Sequence, residues 1–154
     1  MYKGLEGDLF SYGSVNKSLS ILGNTFDANE IGIHLQNITY PIITDNTINI
    51  GHRQTFGSGG FFSIGSKMEN VSTFKYRDNT HTKTFTAPST VDHYTVGTEV
   101  YNTGAQAELI YRNSYTNLKI GNDGDYTCGN PSNGIPGLTY LCNTNSGNSH
   151  YDFI

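Results

Sequence analysis

Ile31-Gly32-Ile33-His34-Leu35-Gln36-Asn37 recurs as Ile64-Gly65-Ser66-Lys67-Met68-Glu69-Asn70 and again as Val96-Gly97-Thr98-Glu99-Val100-Tyr101-Asn102. Asn37 and Asn70 lie 33 residues apart, and Asn70 and Asn102 lie 32 apart. Self-similarity at such a period means stacked units, none of which buries its apolar face alone. Inside the phrase, apolar or small residues (Ile33 and Leu35, Ser66 and Met68, Thr98 and Val100) alternate with polar ones. Period two is the mark of a strand with one face buried. The closing Asn begins a turn, because Asn tolerates left-handed backbone and can bond nearby peptide groups.

The likeness continues past the Asn. Asp45-Asn46-Thr47 follows the first copy as Asp78-Asn79-Thr80 follows the second, and the third copy gives Tyr111-Arg112-Asn113-Ser114-Tyr115 against Tyr76-Arg77-Asp78-Asn79-Thr80. Ile21-Leu22-Gly23-Asn24-Thr25-Phe26 echoes Ile43-Thr44-Asp45-Asn46-Thr47-Ile48 at a distance of 22 residues. The basic coil is therefore about 22 residues of three short strands, and the longer periods carry loops at 51–60 and 81–93. Thr139-Tyr140-Leu141-Cys142-Asn143 suggests a fifth copy, with Leu141 and Asn143 in the places of Leu35 and Asn37. The reading is all-β: a right-handed parallel β-helix of about five coils, a single unit over 1–154. An antiparallel sandwich also has short strands and Gly/Asn turns, but gives no reason for one phrase at fixed spacing. Like residues then stack on like. The expected amide ladder is Asn37, Asn70, Asn102 and Asn143.

The chain of 154 residues is 35% hydrophobic and 14% charged, with a net charge of −4. It has no apolar run of bilayer length and no Lys/Arg cluster, so neither a membrane span nor a nucleic-acid partner is expected. No secretory leader is evident, and Tyr151-Asp152-Phe153-Ile154 reads as the middle of a strand. The expectation is a segment of a longer parent chain. Cys128 and Cys142, 14 residues apart, lack zinc-ligand spacing. A disulfide between them would pin the irregular section 121–136 and contribute about 3 kcal/mol. The alternative is a pair of free thiols.

If Ile33 and Leu35 point inward, two outward columns follow: His34, Lys67, Glu99 and Tyr140, and Gln36, Glu69, Tyr101 and Cys142. Together they offer a base (Lys67 or His34), acids (Glu69 and Glu99) and rings for stacking on sugars (Tyr101 and Tyr140). Strand rise and spacing place the Glu69 and Glu99 Cα atoms about 8 Å apart. That is permissive for glycosidase chemistry, which needs carboxyls roughly 5–9.5 Å apart. The plainer reading is that Lys67 pairs with both carboxylates on a solvated sheet face. Asp123 and Asp125 flank Gly124 as in the start of a calcium loop, but no distal Glu follows. Calcium is the one cofactor these residues suggest, and corner geometry explains Asp45 and Asp78 without it. Ser89, Asp92 and His93 could be written as a triad, but near neighbours in sequence rarely meet its geometry.

The Asn/Asp-punctuated coils, Glu99-Val100-Tyr101-Asn102, Tyr111-Arg112-Asn113-Ser114, and the tail Gly137-Leu138-Thr139-Tyr140-Leu141-Cys142-Asn143 followed by Tyr151-Asp152-Phe153 resemble surface proteins of Bacteroidota. Those are large right-handed β-helix proteins exported by the type IX route. The resemblance implies an extracellular or cell-surface place and a long parent chain with a separate sorting domain. It carries over no catalytic residue. The expected function is a non-catalytic, adhesive rod, with loops 51–60 and 81–93 presenting Phe56, Phe61, Phe85 and Tyr94, possible contact with surface polysaccharide, and no metal. The alternative is a polysaccharide lyase, a glycoside hydrolase or a carbohydrate-binding module with its groove along the outward columns.

Overall fold

The computed structural model describes residues 3–8, 19–51, 61–85, 93–103, 107–125, 128 and 137–154. They form three parallel sheets and, among the described residues, no helix. The first sheet contains β1 (Lys3–Asp8), β4 (Ile31–Gln36), β7 (Phe61–Glu69), β10 (His93–Tyr101), β13 (Ile120–Asp125) and β16 (Tyr151–Phe153), side by side in that order. The second contains β2 (Ser20–Leu22), β5 (Ile42–Thr44), β8 (Lys75–Arg77), β11 (Glu108–Tyr111) and β14 (Leu138–Leu141). The third contains β3 (Thr25–Asn29), β6 (Thr47–Ile50), β9 (Thr80–Lys83), β12 (Ser114–Thr116) and β15 (Thr144–Ser146). Every sheet neighbour is the third strand along the chain, and every pairing is parallel. This is a β-solenoid. A sandwich would pair strands antiparallel, and none of these pairs is.

The repeated phrase stacks in register: Ile33 on Ser66, His34 on Lys67, Leu35 on Met68, then Lys67 on Glu99 and Met68 on Val100. Leu35, Met68 and Val100 are fully buried, and they join Ile43, Ile48, Tyr76, Ile110 and Tyr115 in one core. Burying each large aliphatic side chain contributes about 1.5–3 kcal/mol. Asn37, Asn70 and Asn102 turn the chain from the first sheet to the second with φ of 57°, 52° and 51°. Their amides hydrogen-bond along the axis, Asn70 Nδ2 to Asn37 Oδ1 at 3.3 Å and Asn102 Nδ2 to Asn70 Oδ1 at 2.6 Å.

Asn143 does not join them. It lies one corner further on, where the second sheet turns into the third, in a deeper column with Asn24, Asn46, Asn79 and Asn113. There Asn46 Nδ2 donates to Asn79 Oδ1 at 2.9 Å, Asn79 Nδ2 to Asn113 Oδ1 at 3.0 Å, and Asn113 Nδ2 to Asn143 Oδ1 at 3.1 Å. Each acceptor also takes the backbone N–H of the preceding Asn, at 2.8–3.0 Å. The reason for the misplacement is that two corners per coil end in Asn. Leu141-Cys142-Asn143 has the pattern of Thr44-Asp45-Asn46, in which the residue before the Asn is the left-handed one. Cys142 has φ 54°, as Asp45 has 55°. Tyr111 therefore pairs with Leu141, and Ile110 with Tyr140.

The copy of the phrase that stacks on Val96–Tyr101 is instead Ile120-Gly121-Asn122-Asp123-Gly124-Asp125, which is strand β13 and not part of an irregular section 121–136. Residues 126–127 and 129–136 lie outside the described residues, as do 52–60 of the first expected loop and 86–92 of the second. His81 begins no loop: it is buried in β9. Tyr94 likewise belongs to β10. The two cysteines are free thiols, not a disulfide. Cys142 is exposed at its corner, while the Cys128 thiol turns inward to the Val100 and Asp125 carbonyls at 3.7 and 3.2 Å.

Candidate functional site

The alternation that buries Leu35, Met68 and Val100 turns the residues between them outward. One column on the first sheet is Glu6, His34, Lys67, Glu99 and Asp123. Beside it run Gln36, Glu69, Tyr101 and Asp125. Six residues named from the sequence (His34, Gln36, Lys67, Glu69, Glu99 and Tyr101) are thus brought onto one face. Tyr140 and Cys142 are not. Tyr140 packs against the core with its ring edge-on to Phe153, centroids 5.2 Å apart, on the inner side of the second sheet's column. Glu6, Asp123 and Asp125 are the additions to this face. Their signal was the Gly in Lys3-Gly4-Leu5-Glu6 and Ile120-Gly121-Asn122-Asp123, which repeats Gly32, Gly65 and Gly97.

The face is held by a chain of hydrogen bonds and ion pairs. His34 Nε2 is 2.8 Å from Glu69 Oε2, and its Nδ1 is 3.5 Å from Glu6 Oε1. Lys67 Nζ donates to Glu69 Oε1 at 2.8 Å and to Glu99 Oε1 at 3.2 Å. Burial raises the Glu69 pKa, but the hydrogen bonds from Lys67 and His34 outweigh it and hold the carboxyl below the usual range. At Glu99 burial wins: its carboxyl is pushed up despite the Lys67 charge. Burial and the Asp125 charge likewise raise Asp123. For Lys67, burial is outweighed by its two carboxylate partners, and the ammonium is held more firmly. Among the described residues no set of three or more His, Cys, Asp or Glu is gathered to hold a metal ion.

Toward the start of β10 the face becomes aromatic. Phe62 stacks on Tyr94 with centroids 5.2 Å apart and ring planes 13° from parallel, and Lys119 Nζ lies 5.0 Å from the Tyr94 centroid.

His81 and Glu108 are buried away from this face. His81 Nε2 is hydrogen-bonded to Tyr76 Oη at 2.6 Å, Tyr76 Oη to Ser66 Oγ at 2.7 Å, and the imidazole stacks on Tyr115 at 4.8 Å. Burial pushes the imidazole down to about 3. An unfolded His titrates near 6.5. Folded His81 therefore binds fewer protons between those values, and its own contribution to stability falls as pH drops through them, by up to about 1.4 kcal/mol per pH unit. His81→Phe, which keeps the stacking, should flatten that slope in urea midpoints. Glu108 acts oppositely. Burial raises its carboxyl to about 7, against the Thr73 N–H that it accepts at 3.4 Å. Its contribution is complete below its unfolded value of 4.5 and is lost as pH rises through 7. Glu108→Gln should remove the loss on the alkaline side and leave the His81 slope in place.

No known protein family, curated protein or solved structure matches the chain.

Proposed function

We propose that the chain is a non-catalytic segment of a right-handed β-helix protein of the Bacteroidota surface type, carried outside the cell as part of a longer polypeptide and placed against surface polysaccharide. The regular succession of three strands per coil supports the reading of a stiff rod. The observation that carries the non-catalytic reading is Lys67. Its ammonium bridges Glu69 and Glu99, so the pair that would be acid and base is already engaged by one cation. Contact with sugars would fall on His34, Gln36, Tyr101 and the Phe62–Tyr94 stack, where rings and hydrogen-bonding groups share one flat face.

One observation favours the enzymatic alternative. Glu99 is pushed up while Glu69 is held down, the division of labour that glycosidases use. One experiment weighs both readings: a polysaccharide panel assayed for binding and for new reducing or unsaturated ends. The proposal expects retention on at least one polysaccharide, weakened by Tyr101→Ala, with no product. Product formation that Glu99→Gln abolishes would replace the rod by an enzyme.

A further inference from the structure

The second sheet has an outward face of opposite character to the first. Its columns are Ser20, Ile42, Lys75, Leu109 and Thr139, and Leu22, Thr44, Arg77, Tyr111 and Leu141. Neither contains an acid. Lys75 and Arg77 are both exposed on one rung, β8. They stand two residues apart, about 6.8 Å along the strand. Among the described residues no carboxylate pairs with Lys75. Arg77 has only a loose contact, 3.9 Å, with Asp78, which lies closer to Arg112, at 3.3 Å.

The neighbouring rung, β11, supplies Leu109 and Tyr111, and the Arg112 guanidinium lies over the Tyr111 ring with its Cζ 5.7 Å from the centroid. Over these two paired rungs lies a groove of about 390 Å³ lined by Phe74, Lys75, Arg77, Ala107, Leu109 and Tyr111. Apolar surface continues along the face: Leu22 is 53% exposed, Leu109 37% and Leu141 49%. In a chain of net charge −4, a cationic rung flanked by apolar rows is a segregated feature.

We propose that this groove binds an acidic polysaccharide strand of the uronate type, with carboxylates on Lys75 and Arg77 and sugar rings laid on Tyr111 and Leu109. A uronate chain has one carboxylate per ring and apolar C–H faces between them. It therefore needs few cations and a hydrophobic floor, which is what β8 and β11 offer. A nucleic acid has a denser row of charges and calls for many more cations than one rung provides. The site is separate from the first-sheet face.

Native gel electrophoresis in gels containing polygalacturonate tests it, with dextran gels as the neutral control and single-stranded DNA as a competing polyanion. The expected result is marked retardation by polygalacturonate and none by dextran. Lys75→Ala/Arg77→Ala should lose it and Tyr111→Ala should weaken it several-fold, while Tyr101→Ala on the first sheet keeps it. Thermal melts matching the wild type would show that the variants fold, and a variant that does not fold is replaced by Lys75→Gln/Arg77→Gln. Retardation that survives the double substitution, no retardation at all, or DNA displacing polygalacturonate charge for charge would overturn the assignment. Loss confined to Tyr101→Ala would overturn it too, while leaving the first-sheet reading standing.

Discussion

Asn79→Ala is expected to lower stability by about 4 kcal/mol, read as a shift in urea midpoint at unchanged slope. Asn79 is 1% exposed. Its Oδ1 accepts the Asn46 backbone N–H at 3.0 Å and Asn46 Nδ2 at 2.9 Å, and its Nδ2 donates to Asn113 Oδ1 and the Ile43 carbonyl at 3.0 and 3.1 Å. Alanine leaves the Asn46 N–H and the Ile43 carbonyl buried without those partners, and each such orphan costs about 1–3 kcal/mol. A small cavity adds to this. Asn70 provides the contrast. It also belongs to an amide column, but an exposed one, and its φ of 52° suits glycine. Asn70→Gly should cost less than about 1 kcal/mol. Equal losses at the two positions would show that the inner column does not hold the coils together.

Gly97→Ala is expected to cost about 3 kcal/mol or more, or to prevent folding. A Cβ there would lie 2.4 Å from Tyr115 Cδ1 and 2.5 Å from the Gly121 carbonyl oxygen. The ring could turn away only by leaving its hydrogen bond to Thr98, 2.8 Å, and its stack on His81. The carbonyl belongs to the next rung and cannot yield. Gly4, Gly32 and Gly65 meet the following rung in the same way, their added Cβ atoms 2.5–2.6 Å from its carbonyl. This column lets the first sheet pass close over the inner side of the third. Gly23 is the control: it has φ of 65° and open space around it, so Gly23→Asn should be nearly neutral. Thermal melts of the two variants give the comparison. A Gly97→Ala protein as stable as the Gly23→Asn protein would contradict the close approach.

These two columns also mark how far the fold could be read from the residues alone. Alternation in Ile31–Gln36 and its copies gave the strand, its inward side and its parallel stacking, because a solenoid repeats one set of contacts at each rung. The outward set His34, Lys67, Glu69 and Glu99 followed from the same alternation. What misled was the Asn. Two corners per coil end in that residue for different reasons, one for left-handed backbone at the surface, the other for a buried hydrogen-bond column. A short tail such as Leu141-Cys142-Asn143 matches either. The residue before the Asn separates them: it is a strand residue at Asn37 and a left-handed one at Asn46. Gly124 made Ile120–Asp125 look like a loop, although Gly121 repeats the glycine of the phrase. The Lys75–Arg77 rung was hidden because its significance lies in what is absent around it, and that depends on which rungs flank it in space.

Register along the axis is the claim on which the faces, the columns and both binding proposals rest, and spin-label distances test it most directly. Leu22, Thr44, Arg77, Tyr111 and Leu141 lie in one outward column, each in register with the next. In a background with Cys128→Ser and Cys142→Ser, nitroxides at Leu22→Cys and Leu141→Cys should sit on backbones four rungs apart, about 19 Å. Moving the second label to Tyr111→Cys should shorten the separation by one rung, about 4.8 Å. That stepwise decrease is the predicted result. Two distributions that coincide, or a separation that grows when the label moves inward, would contradict the stacked parallel arrangement.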